Sequence, residues 1–167
     1  MIDITTINKL KETVLSRVKE NFIKDGSLIP VAMLLYPNGE GEVIGTHLTS
    51  RADEEKFAAH LRVKCAVKKP VIIVLISEAH ALRVPIERKG EYLDEQGNLK
   101  EGIVRPKDND ESKDVIVVSF ETLLTSETVM IETKSVGGAN IIVETTRKGK
   151  MLDGIYKDIL TMPINSN

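Results

Sequence analysis

At 167 residues, with 41% hydrophobic and 29% charged residues, the chain has the makeup of one globular domain, 1–167, and not of a disordered or fibrous protein. Lys and Arg total 23 against 25 for Asp and Glu, aromatics are 4% and Trp is absent, so neither a basic field nor stacking platforms favour nucleic acid as a partner. One cysteine, Cys65, cannot form an internal disulfide; with no apolar secretion segment at the N-terminus and no apolar run longer than VIIVLI at 71–76, a cytoplasmic protein outside the membrane is expected.

The first element, roughly 4–24, is predicted to be an amphipathic helix. Ile7, Leu10, Val14, Val18 and Phe22 recur at spacings of three and four. Asp3, Thr5 or Thr6 can cap its start, and Gly26 can take the left-handed conformation that ends helices. Two apolar runs then flank Pro37-Asn38-Gly39-Glu40-Gly41, the signature of a β-hairpin, with Pro30 at the start or edge of the first strand. A second helix is expected over roughly 51–68. Ser50 and Asp53 stand as a capping box, Phe57, Leu61 and Cys65 share a face with Ala58 beside them, and Pro70 stops the helix.

Val71–Ile76 is a continuous apolar run, predicting a strand covered on both faces. The stretch from about 81 to 113 is poor in apolar residues and is expected to be a polar excursion from the sheet. KDVIVVSF, ETVMIETKS and ANIIVETT follow as three strands, with ETLLTSE beginning as a helical turn and Gly137-Gly138 turning between the last two. Finally, Leu152, Ile155, Tyr156, Ile159 and Leu160 fall on one stripe of a predicted third helix, which Pro163 ends. The order α-β-β-α-β-(excursion)-β-β-β-α predicts an α+β fold: a mostly antiparallel sheet of about six strands with three packed helices. By analogy it resembles profilin-like, PAS-like and GAF-like sensor domains.

Ser77-Glu78-Ala79-His80, at the end of the apolar strand, is the sharpest local feature. Residues two apart on a strand share a face, so Glu78 and His80 could work as general acid and base, or as metal ligands with His47 as the third. The simpler reading is a strand-end pair bonded to each other or to neighbours. Cys65 is expected to be a buried, inert thiol, since His60 lies about 140° away round the helix. Asp108 to Asp114 does not make a calcium loop: Lys113 stands where Gly is needed and Ser119 where a bidentate Glu is needed. Gly39, Gly41 and Gly45 lack the spacing of a phosphate cradle. The basic groups Arg62, Lys64, Lys68, Lys69 and Arg147, Lys148, Lys150 are expected on solvated surface, where a small anion site is the alternative. No cofactor is predicted.

The run IVLISEAHALRVPIERKG, followed by RPKDNDESKDVIVVSF, resembles a pattern in small uncharacterised proteins of bacteria, archaea and phages. There a strand ends in Ser/Thr-Glu-Ala-aromatic, and a polar loop leads through Pro and acidic residues to a basic-acidic pair opening the next strand. The matching positions are Ser77, Glu78, Ala79, Arg105, Pro106, Lys113 and Asp114, with His80 replacing the aromatic. The resemblance implies no activity. It implies that Glu78 and the junction near Asp114 form one motif, with a carboxylate tied to a cation across neighbouring strands.

The preferred reading is a non-enzymatic binding or assembly module. Its expected site is a polar patch of Glu78, His80, Arg83 and Arg105 gripping an acidic ligand or partner protein, with homo-oligomerisation through a sheet edge or helix face as one mode. The alternative is a hydrolase-like, metal-assisted enzyme using Glu78, His80 and His47.

Overall fold

A computed structural model describes residues 3–81, 86–92, 95, 100 and 112–148. Helix α1 (Ile4–Asp25) leads into strands β1 (Val31–Leu35) and β2 (Gly41–Gly45), then helix α2 (Arg51–Lys68) and strand β3 (Ile72–Ala81). A short 3-10 turn (Ile86–Arg88) runs into the single-turn helix α3 (Lys89–Tyr92). Strands β4 (Lys113–Thr122), β5 (Ser126–Val136) and β6 (Ala139–Lys148) follow. The six strands form one antiparallel sheet in the order β2-β1-β3-β4-β5-β6. The α+β class and the six-stranded antiparallel sheet are as predicted, with two long helices; the third expected helix lies outside the described residues, as do Arg83 and Arg105.

Caps set the helix ends. Asp3 accepts a hydrogen bond from the Thr6 backbone at 2.7 Å, and Ser50 accepts one from Asp53 at 3.2 Å. Asp53 returns the favour one residue further out, accepting from the Thr49 and Ser50 hydroxyls at 2.7 and 2.8 Å. These hydroxyls hold its carboxyl below the usual range. Gly26 ends α1 at φ 76°, and its N–H donates to the Phe22 carbonyl at 2.8 Å. A Cβ there would stand 2.9 Å from Nδ2 of Asn140 on β6. Gly26→Ala is therefore expected to cost about 1–2 kcal/mol in the left-handed backbone, plus whatever Asn140 must yield; urea unfolding reads it.

The sheet has two unlike faces. On the first, α1 lays Val14, Leu15, Val18 and Phe22 over alternate residues of the central strands: Ile72, Val74 and Ile76 of β3, Ile116, Val118 and Phe120 of β4, Val129 and Ile131 of β5. Ile7 and Leu10 extend that contact. Ion pairs ring it: Lys11 meets Glu127 at 2.6 Å and lies 5.6 Å over the Phe120 ring, and Arg147 meets Glu12 at 2.6 Å. On the second face α2 covers only part of the sheet, packing Leu61 and Cys65 on Ala32 and Leu34 of β1 and Ile73 of β3.

One expectation is corrected. Residues 121–127 hold no helical turn: β4 runs to Thr122, whose N–H and hydroxyl close a tight turn on Thr125 before β5 begins. The basic groups lie at the surface as expected, with Lys68, Lys69 and Arg147 exposed and Arg62 and Lys64 half-buried, and several of them are ion-paired. Arg147 is ion-paired as above, and Lys64 and Lys68 both meet Glu42 of β2, the former in very close contact and the latter at 3.4 Å. Tyr36 adds its hydroxyl to Glu42 at 2.8 Å, and Lys68 lies 5.6 Å over its ring. This cluster pins the second half of α2 to the β1–β2 hairpin.

The hydrogen bonds from Lys64 and Tyr36 hold the Glu42 carboxyl down at about 2, against an ordinary 4.5, while burial and the same contact push Tyr36 up to about 12. A carboxyl lowered by folding stabilises the fold above its unfolded value and loses that contribution as pH falls through the folded one. The stability gap between the wild type and Glu42→Gln is thus expected to be full at neutral pH. It should shrink from about pH 4.5 downward and vanish near pH 2; urea midpoints across that range measure it.

Candidate functional site

β3 carries side chains alternately to the two faces, and its second half outruns both helices. Glu78 lies on the side of α1, past the end of that helix. Its Oε1 accepts a hydrogen bond from the Leu28 backbone at 2.8 Å, so it anchors the chain between α1 and β1. His80, two residues on, stands opposite Asp114 of β4, with Nδ1 2.9 Å from Oδ1. The cross-strand tie expected near this junction exists, but Glu78 does not make it: His80 meets Asp114, and Lys113 meets Glu132 of β5 at 2.7 Å. His47 is exposed just after β2, two strands from β3. Among the described residues no group of three His, Cys, Asp or Glu side chains is placed to hold a metal ion. No described helix is long and apolar enough to cross a membrane. Cys65 is buried, and desolvation, aided by the Glu121 charge, pushes its thiol up to about 11, so it is protonated and a poor nucleophile.

What the strand pattern alone does not reveal is a cleft on the second face, beyond the edge of α2. It has a volume of about 320 Å³. Phe57 of α2 forms one wall, together with Val31 at the start of β1. The rest comes from three adjacent strands: Leu75, Ser77, Ala79 and Ala81 of β3, Val115, Val117 and Ser119 of β4, and Thr128 and Met130 of β5, with Ile76 and His80 completing the lining on β3. The register explains the grouping, because Leu75, Ser119 and Thr128 align across the three strands, and so do Ser77, Val117 and Met130.

No family model, curated protein or solved structure matches the chain.

The cleft is mostly apolar. Its two deepest polar groups, Ser119 and Thr128, are 2% and 3% exposed and lie 3.3 Å apart, hydroxyl to hydroxyl. One hydroxyl donates to the other, which lowers the polar demand at that end. Among the described lining residues the ionisable one is His80, and its side chain shares the α1 face with Glu78, where Asp114 engages Nδ1. Such a surface can take apolar groups by desolvation; among the described residues it offers no cluster of acids, bases and nucleophiles. A faint signal was present in the sequence. VIVVS in β4 is apolar at successive positions, so both its faces need cover, and one amphipathic helix supplies cover for one face only.

Proposed function

We propose that the protein is a non-enzymatic binding module whose second sheet face takes the apolar stripe of a protein segment. The observation that supports this most is the cleft between Phe57 and strands β3–β5, apolar at Val115, Val117 and Met130 with its inner hydroxyls already paired. About 25 cal/mol is gained per Å² of apolar surface removed from water, so three or four inserted side chains supply several kcal/mol. Lys113 and Glu132, paired at 2.7 Å in register with Ala81 and Val115, form a polar rim that gives orientation. The analogy of element order with profilin-like, PAS-like and GAF-like domains supports a binding role at fold level alone.

The test uses 1-anilinonaphthalene-8-sulfonate (ANS) as an apolar probe of the full chain. Saturable binding is expected, and Val117→Glu or Met130→Lys should abolish it while leaving far-UV circular dichroism unchanged. Binding indifferent to both substitutions would place the apolar site elsewhere.

The hydrolase-like alternative has one observation in its favour. Asp114 lies 2.9 Å from Nδ1 of His80 and orients the ring, on the same face of β3 as Glu78. His80→Ala separates the readings. ANS binding should survive it if the cleft is a docking site, whereas a hydrolytic activity resting on Glu78 and His80 would disappear.

A further inference from the structure

A counterpart to the cleft stands at one end of the sheet. The β4–β5 hairpin turns through Thr122-Leu123-Leu124-Thr125 and holds two adjacent leucines out in solvent, Leu123 at 65% exposed and Leu124 at 94%. Leu124 is the most exposed large apolar side chain among the described residues. The turn is closed by hydrogen bonds of its own. The Thr122 N–H donates to the Thr125 carbonyl at 2.8 Å, and the Thr122 hydroxyl accepts from the N–H groups of Leu124 and Thr125 at 3.2 and 2.9 Å. An apolar pair on a turn fixed in this way loses little backbone freedom when it is inserted elsewhere, and Thr-Leu-Leu-Thr carries no ion to desolvate. Eight side-chain carbons, at roughly 30 Å³ each, the share of a water molecule in the liquid, fit within the cleft's volume of about 320 Å³. The tip cannot serve its own cleft. It prolongs β4 and β5 past the facing pair Glu121 and Ser126, whereas the nearest cleft residues on these strands, Ser119 and Thr128, lie about 10 Å back from Thr122 and Thr125 at 3.3 Å per residue.

From this complementarity we infer that one copy of the chain seats Leu123 and Leu124 in the second-face cleft of another copy. The inference rests on the docking role proposed above and names the partner of that same site. The chain supplies both halves of the contact, an uncharged apolar tip and an apolar cleft of matching size. A lipid surface suits the tip less well, because its neighbours in sequence, Glu121 and Glu127, are acidic where an anionic bilayer would favour cations. The two contacting surfaces differ, so the contact is heterologous: a pair of copies still has one tip and one cleft to spare. Assembly runs head to tail, into an open chain or a closed ring, and does not stop at two. Two leucines bury far less than the ~800 Å² per partner of a standard stable interface, so the association is weak and strongly dependent on concentration.

The experiment mixes two full-length variants, Leu124→Asp, which spoils the tip, and Val117→Glu, which spoils the cleft, and follows mass by analytical ultracentrifugation. The wild type should associate beyond the dimer as its concentration rises from about 10 µM to about 1 mM, while each variant alone stays monomeric. Mixed in equal amounts, the two variants should form a one-to-one dimer and nothing larger, because one supplies the only intact tip and the other the only intact cleft. Leu123→Asp and Met130→Lys serve as the second tip and cleft variants where either of the first pair loses its far-UV circular dichroism. A wild type that stays monomeric overturns the inference, as does association that survives Leu124→Asp, or a mixture that remains monomeric while the wild type associates. Capture of a monomeric wild type by phosphatidylcholine vesicles, lost in Leu124→Asp, would assign the tip to lipid and overturn it too. ANS separates this failure from that of the docking role. If Leu124→Asp binds ANS as the wild type does and Val117→Glu does not, yet the mixture gives no dimer, the docking role stands and the self-association falls. If Val117→Glu leaves ANS binding untouched, the docking role itself fails.

Discussion

Phe120→Ala is expected to destabilise the protein by about 3–5 kcal/mol and to lower its melting temperature by roughly 10 °C. Phe120 is 1% exposed and is the largest of the fully buried side chains. It sits on β4, second strand in from the β5–β6 edge of the sheet, opposite Val74 of β3 and Glu127 of β5, with α1 above it. Its loss leaves a void between a helix and a sheet that are both anchored elsewhere, at Gly26 and at the Lys11–Glu127 pair, so the surroundings can close over it only in part. The ring also carries the Lys11 ammonium 5.6 Å from its centre, and that contact goes with it. Because Phe120 faces α1, the variant should keep the cleft on the other side: where it is still folded, its ANS binding should match the wild type. Urea unfolding and a probe titration on one sample decide both points.

Leu61→Ala is expected to cost about 2–5 kcal/mol by the same physics on the opposite face. Leu61 is 0% exposed and is the point where α2 meets Ala32, Leu34 and Ile73. The contrast with Phe120 lies in what else changes. Phe57 is one turn earlier on α2 and forms the helical wall of the cleft, so a helix that loses its central anchor lets that wall move. The Glu42 cluster still holds the later half of α2, which favours a tilt over release. ANS affinity should therefore fall in Leu61→Ala and hold in Phe120→Ala, even at temperatures where both are folded. Equal effects on probe binding would mean that the two faces are not independent layers.

Much of this architecture is legible in the sequence, and for identifiable reasons. The stripe Ile7, Leu10, Val14, Val18, Phe22 and the stop at Gly26 define α1, because a helix stripe and a left-handed cap are local signals. Asn38-Gly39 and Gly137-Gly138 mark two of the three hairpin turns among the described residues, and Gly39, Gly137 and Gly138 do adopt positive φ. The failures have a common cause in contacts distant in sequence. Nothing near Glu78 shows that its partner is the Leu28 backbone, fifty residues earlier. Nothing near Lys64 or Arg147 shows that carboxylates on other elements await them. The turn at 121–127 looks helical because Leu123 and Leu124 are apolar, yet both are exposed, and the Thr122–Thr125 bonds close the chain more tightly than a helix would. The cleft escapes notice for another reason. β4 is apolar on both faces, and periodicity cannot say how much of the second face α2 will reach.

The two-faced sheet is tested most directly by methyl resonances of methionine. Met130 lines the cleft, whereas Met33 packs into the core under α1. In the full chain, labelled at the methionine methyls and titrated with ANS, the Met130 signal should shift saturably while the Met33 signal stays in place. An unmoved Met130 signal, or a Met33 signal that shifts equally, would contradict an apolar cleft confined to the second face.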